Sequence, residues 1–135
     1  MGAIYPTRRN LLNKCIFCEL ENHSIVSSSN FFNVIRDSFP VTHLHTLIIP
    51  KRHVETYFDL NQDECAELSF VLKAERQTIL ELDKSVKAFN IGINAGAEAG
   101  QTIFHCHIHL IPRRVGDVED PRGGVRGVIA DKQKY

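Results

Sequence analysis

HCHIHLIP, residues 105–112, sets His105, His107 and His109 at alternate positions with Cys106, Ile108 and Leu110 interleaved. In a β-strand successive side chains point to opposite faces. The three imidazoles then share one face, while Phe104, Cys106, Ile108 and Leu110 share the other and can join a core. A helix would scatter the same residues around its circumference, and the preceding Thr102, Ile103 and Phe104 favour strand. Packing accounts for the apolar set. It does not account for three imidazoles in register.

The pattern extends in both directions from this strand. KAFNIGINAG (87–96) also alternates, with Phe89, Ile91 and Ile93 against Asn90, Gly92 and Asn94, and GAEAGQT (96–102) joins it to the histidine run. The two segments are expected to pair as an antiparallel unit with a glycine-bearing connection. Upstream, FFNVIRD (31–37) reads as a short strand and HTLIIPK (45–51) as a second one, apolar on both faces and therefore central. Between them Pro40 breaks the run. At Asn61 the period changes: Asn61 and Glu64 form a capped helix start, Leu60 and Cys65 can staple it, and Leu68, Leu72, Ile79 and Leu82 continue one stripe to about Asp83. The tail from about 115 to 135 is polar and turn-rich, with Pro121 and Gly123-Gly124. The sum is an α+β domain, an antiparallel sheet with one long helix and a shorter helical or loop segment near the N-terminus.

A chain of 135 residues predicts one domain, 1–135, with its own core. Sixteen basic residues balance sixteen acidic ones with no block of one sign, which argues against duplex nucleic acid or an acidic membrane as partner. Any anionic ligand is then small and bound locally. MGAIYPTRRNLLNK lacks an apolar signal core, and no apolar run is long enough to span a bilayer, so a cytoplasmic location is expected. Cys15 and Cys18 form a C-x-x-C pair while Cys65 and Cys106 stand alone, unlike a secreted disulfide scaffold. The lone cysteines read as core. The pair is open to three readings: plain packing, a redox couple, for which LLNKCIFCEL lacks the usual βαβ setting, or half of a four-ligand metal site.

The histidines admit readings of their own: half-buried polar residues, metal ligands, or catalysts. Three alternate residues span roughly 13 Å at about 3.3 Å each, too far for one ion to reach both ends. Catalysis suits the spacing better, with a central imidazole acting while its neighbours set its tautomer and hold an anion. Asn94 lies on the adjoining segment, and Gly100, Gln101 and Thr102 offer donors that could cradle a phosphate.

HCHIHLI resembles the signature of the histidine triad superfamily of nucleotide hydrolases and transferases. RDSFPVTHLHTLIIPKRHVETYFDL and NAGAEAGQTIFHCHIHLIPR are similar to two signature regions of its small bacterial branch, which includes diadenosine polyphosphate hydrolases; the likeness covers most of residues 15–114. The resemblance implies the HIT-like fold, with a sheet of about five strands and often a homodimer. It further implies cleavage at the α-phosphate of dinucleoside polyphosphates or nucleoside phosphoramidates through a nucleotidyl-histidine on His107. By the same match His109 contacts the phosphate and helps the leaving group, and the carbonyl near His105 fixes the His107 ring. Asp37 falls where the family holds ribose hydroxyls, Asn94, Gln101 and Thr102 at phosphate contacts, and His45 near the triad. Cys15, Cys18, His53 and His105 match a structural zinc site, with an N-terminal segment of about residues 10–22 as its zinc-binding part. His43 and Leu44 stand where relatives often have a small residue and glycine, and the tail has no tryptophan. A reading from another class is a nucleotide-binding sensor or interaction module that keeps the pocket and turns nothing over.

Overall fold

Asn61 and Glu64 cap the long helix reciprocally, as their spacing predicts. In the computed structural model, which describes residues 15–135, α1 spans Gln62–Leu82. The Asn61 side chain accepts from the Glu64 N–H at 2.8 Å, and the Glu64 carboxylate accepts from the Asn61 N–H at 2.9 Å. Two orphan donors of the first turn are thereby satisfied. The inward face carries Leu68, Val71 and Ile79 together with two carboxylates, Glu64 and Glu75. Each buried carboxylate meets a guanidinium, Glu64 with Arg52 at 2.7 Å and Glu75 with Arg36 at 3.0 Å. Pairing is what makes their burial tolerable. Leu82, expected in the stripe, is instead 62% exposed, and Leu72 is only partly buried.

Five strands form one sheet: β1 (Ile25–Ser28), β2 (Phe32–Arg36), β3 (Thr46–Pro50), β4 (Val86–Ile93) and β5 (Ile108–Arg114). Their order is β1-β2-β3-β5-β4, with every neighbouring pair antiparallel. β3 is central and buried throughout, as its apolar run predicts. One sheet face packs on α1 through Phe32, Val34, Ile48, Cys106 and Ile108 against Leu68 and Val71, and through Leu110 against Ile79. The other face is covered in part by the segment of Cys15 and Phe17, which packs on Ile35, Leu47, Ile49 and Ile103. Two expectations need correction here. The short N-terminal helical segment is a turn at the cysteine pair, where the Cys18 N–H donates to the Cys15 carbonyl, followed by a 3-10 turn at Asn22–Ser24; its first residues, 10–14, lie outside the described ones.

The second correction concerns the histidine run, whose ladder starts only at Ile108. β3 pairs with β5 at Ile48↔Ile108 and no further. Two residues on, Pro50 has no N–H to give, so the ladder cannot continue. The Cys106 N–H donates instead to the Val54 carbonyl at 2.7 Å. The in-and-out alternation survives without the ladder: Cys106, Ile108 and Leu110 still face the helix side. The tail is turn-rich as expected, with 3-10 turns at Gly124–Val128 and Ala130–Lys132. Among the described residues no helix is long and apolar enough to cross a membrane.

Candidate active site and metal centre

The end of β3 and the C-x-x-C turn bring four ligand atoms together. The His105 Nε2–H donates to the Pro50 carbonyl at 2.7 Å, which leaves its Nδ1 as a lone pair. That lone pair faces Cys15 Sγ at 3.4 Å, Cys18 Sγ at 3.5 Å and His53 Nδ1 at 3.1 Å, and Cys18 Sγ lies 3.2 Å from His53 Nδ1. A tetrahedral ion bound at about 2.0 Å to nitrogen and about 2.3 Å to sulfur separates its ligands by roughly 3.3–3.8 Å. The four atoms sit near those edges, and two thiols with two imidazoles are a donor set that fits a borderline divalent metal. His105 is fully buried, and burial, the largest cause, holds its pKa down to about 4, so it is neutral and able to ligate. Cys18 and His53 are exposed, leaving an ion a way in.

Beside this knot lies a cleft of about 120 Å³, bordered by Asp37, Asn94, Gly100, Thr102, His107 and His109. That is room for a phosphoryl group rather than a whole nucleotide. Two larger hollows, of about 720 and 670 Å³, have no histidine or cysteine on their walls, so chemistry rather than volume locates the site. Gly100, which borders the cleft, adopts φ +97 at the end of a 3-10 turn, Ala97–Ala99, a conformation that suits glycine. The His107 Nδ1–H donates to the His105 carbonyl at 2.8 Å, so its Nε2 carries the lone pair. Burial lowers the His107 pKa, opposed by that hydrogen bond and by Asp37, and so favours the neutral ring.

His45 sits behind His109, joined to it by Nε2 to Nδ1 at 2.9 Å, with Asp37 Oδ2 at 3.5 Å from the same Nε2. Burial pulls the His109 pKa down to about 4, with His107 and His45 adding to the effect, and it lowers that of His45 as well. Asp37, His45 and His109 are close enough to suggest an ion, but the bond from the Val41 N–H to His45 Nδ1 at 3.0 Å places the proton of neutral His45 on Nε2, where an ion would need a lone pair.

Of the sequence-predicted residues, Cys15, Cys18, His53 and His105 converge in one place, and Asp37, Asn94, Thr102, His107 and His109 in another. Gln101 departs from expectation. Its side chain is buried, accepting from the Gly96 N–H at 2.8 Å and donating to the carbonyls of Glu55 at 2.7 Å and Ile103 at 3.1 Å. Its amide pins the loop and does not border the cleft. Sequence reasoning missed Phe17, which lies between the two cysteines, borders the cleft and sets its ring edge-on to His107 at 5.1 Å and His105 at 6.0 Å. An apolar residue inside a candidate metal-binding C-x-x-C was the available signal. Leu44 adopts a left-handed φ of +70 at the turn where the resemblance implied glycine; its side chain packs on the cluster of Ile79, Val86 and Leu110.

Residues 20–116 match the family model described as the HIT domain. The chain is 36% identical over 111 residues to an uncharacterized HIT-like protein of Mycoplasma genitalium, covering 78% of this chain and 77% of that protein. It is 35% identical to an adenylylsulfatase of Arabidopsis thaliana, over 79% of this chain and 56% of the plant protein. Among solved structures, a zinc-bound histidine triad family protein from Mycobacterium smegmatis superposes with a TM-score of 0.71 at 32% identity, covering 79% of this chain and 80% of that one. A diadenosine triphosphate hydrolase of Plasmodium falciparum gives a TM-score of 0.69 at 25% identity, covering 75% and 68%.

Proposed function

The chain belongs to the HIT domain family, and from that premise we propose that it is a nucleotide hydrolase or transferase cleaving at an α-phosphate through a nucleotidyl-His107 intermediate. One observation carries the reading: His107 gives its Nδ1 proton to the His105 carbonyl, leaving Nε2 as a lone pair on a residue that borders a phosphoryl-sized cleft. Imidazole so oriented is a competent nucleophile toward phosphorus. The reactions named for the plant and Plasmodium relatives, on a phosphosulfate and a dinucleoside triphosphate, lie in the same class of attack.

In this scheme Asp37 receives the ribose hydroxyls, Asn94 and Thr102 hold phosphate oxygens, and His109 binds a phosphate or leaving-group oxygen. Gln101 acts through the loop it pins. Zinc is the ion proposed for Cys15, Cys18, His53 and His105, supported by the donor set and by the zinc-bound relative. When bound, the metal supplies a brace that fixes the His105 backbone, whose carbonyl orients His107. The single domain over 1–135, a homodimeric assembly and a cytoplasmic location complete the proposal.

The test is a panel of adenylated and guanylated phosphoanhydrides and phosphoramidates scored for nucleoside monophosphate release. Release by the wild type, abolished in His107→Ala with nucleotide binding retained, is the expected outcome. Binding without release from any of them would favour a sensor instead.

A further inference from the structure

A metal-bound histidine is usually steadied by a hydrogen bond from the ring nitrogen that does not ligate. His105 has one, from Nε2 to the Pro50 carbonyl. His53 has none: its Nδ1 faces His105 Nδ1 and Cys18 Sγ, and among the described residues nothing accepts from its Nε2. The residue is also exposed, so packing does little to fix the ring. Its position must come from the backbone of residues 51–54. Main-chain bonds tie the two ends of that segment, the Lys51 N–H to the Phe31 carbonyl at 2.8 Å and the Cys106 N–H to the Val54 carbonyl at 2.7 Å. Between them Arg52 adds a side-chain tie to another element. Its guanidinium donates from Nη2 to Glu64 Oε1 at 2.7 Å and from Nε to Glu64 Oε2 at 3.2 Å, and Nη2 also reaches the Asp59 carbonyl at 3.1 Å. Glu64 is only 2% exposed. The capping box at Asn61 uses one of its oxygens and works with glutamine too, so the cap does not explain a buried charge. The contact with Arg52 does.

We infer that Arg52 and Glu64 are positioning residues for the metal: the pair holds the backbone beside His53 so that its Nδ1 meets the ion, and it couples the start of α1 to the metal centre. The inference rests on the reading of Cys15, Cys18, His53 and His105 as a metal site. A guanidinium and a carboxylate joined by two hydrogen bonds fix direction as well as distance. A lysine at position 52 would keep the charge and lose the fork. Because the same carboxylate caps α1, the helix start and the loop that carries the ligand are seated together. Coupling of this kind is reciprocal: if the seated helix turn strengthens metal binding, the bound ion strengthens the helix turn by the same factor. The helix also carries a matched control. Arg36 and Glu75 form a second pair at 3.0 Å, with Glu75 buried, and neither is next to a ligand in the chain.

Zinc affinity, measured on the full chain by competition with a chelator, tests the pairing. Arg52→Met alone would strand a buried carboxylate, so the informative variant is Arg52→Met with Glu64→Gln, which removes both charges and leaves the capping box an amide oxygen. Its zinc dissociation constant should rise about tenfold or more. Arg52→Lys should recover part of that loss, and Arg36→Met with Glu75→Gln, although it melts lower, should bind zinc as the wild type does. Cobalt(II) in place of zinc supplies a signature that lost stability alone would not move. The wild type and the Arg36 and Glu75 variant should share the visible bands of a tetrahedral site with two thiolates and two imidazoles, and the Arg52 and Glu64 variant should show shifted bands as His53 leaves. Hydrogen exchange at the Glu64 and Cys65 amides should slow on zinc binding in the wild type and not in that variant. Wild-type affinity and cobalt bands in the Arg52 and Glu64 variant, or an equal loss in the Arg36 and Glu75 variant, overturns the inference and leaves the metal site standing. A wild type that binds neither ion overturns both.

Discussion

Two clusters of nearly the same size adjoin His107, one through the His105 carbonyl and the other through the His109 ring. Cys15, Cys18, His53 and His105 form one, and Asp37, His45 and His109 the other; in each, every potential ligand atom lies within 4.8 Å of the rest. Proximity does not tell them apart, but the direction of their protons does. Pro50 takes the Nε2 proton of His105 and turns that ring's lone pair inward toward two sulfurs and a nitrogen. Val41 donates to His45 Nδ1 and thereby sends a proton inward, onto His109. One backbone carbonyl gathers lone pairs into a cluster that could hold a metal, and one backbone N–H makes a hydrogen-bonded clamp. His107 is served by both, its ring aimed by the His105 carbonyl and its cleft shared with His109.

The contrast breaks if metal is indifferent to the first cluster. Elemental analysis should find about one zinc per chain, lost in Cys15→Ser and Cys18→Ser and retained in His45→Gln. Loss of the ion should cost about 3 kcal/mol or more, read as a lower melting temperature, with activity reduced as the His105 carbonyl loosens. Equal stability of metal-free and loaded protein would reduce the cysteines to packing residues and remove His53 from the site.

Acid probes the second cluster. The ordinary histidine pKa is near 6.5, and in the folded chain that of His109 is pulled down to about 4. Between those values the unfolded chain binds a proton that the folded chain refuses, so stability falls as pH drops from about 6.5 toward 4. Denaturant melts of metal-free protein should show a steep loss of stability over that window, to which His105, also held down to about 4, contributes alongside His109, with a shallower slope in His109→Gln. An unchanged slope in the variant would mean the proton is taken up elsewhere.

Asp37 borders the cleft and also stands 3.5 Å from the His45 Nε2. Asp37→Ala should weaken nucleotides by about 1–2 kcal/mol and deoxyribose analogues by less, since only the former lose paired hydroxyl contacts. Equal losses, measured by calorimetry, would assign Asp37 to the clamp alone. The smallest effect belongs to Leu44→Gly, which relieves a left-handed φ of +70 and removes a side chain that packs on Ile79, Val86 and Leu110. The two contributions oppose, so stability should change by less than about 1 kcal/mol.

Local chemistry was readable from the sequence, and direction was not. The Asn61–Glu64 cap and the strands β2 and β3 lie within a residue or two of where their patterns put them, because caps and apolar runs act over short range. β5 begins three residues late because Pro50, more than fifty positions upstream, ends its ladder. β1 is an Ile-Val-Ser-Ser edge strand with no apolar alternation, and its pairing with β2 is a tertiary fact. Glu64 and Glu75 occupy core positions of the helix because Arg52 and Arg36, on other elements, reach them. In the site, residue types and spacing nominated the metal ligands and most of the cleft. The Gln101 amide turned into the loop, Phe17 against the rings and the Val41 N–H behind His45 all depend on where distant backbone groups fall.

The central claim is that the His107 Nε2 attacks the α-phosphorus, and the most direct measurement is to look for the bond. Enzyme mixed with excess nucleotide substrate, quenched within the turnover time and digested, should yield one peptide carrying a labile nucleotidyl group on His107, absent in His107→Ala. Release of nucleoside monophosphate with no adduct at any quench time, or the adduct on His105 or His109, would contradict it.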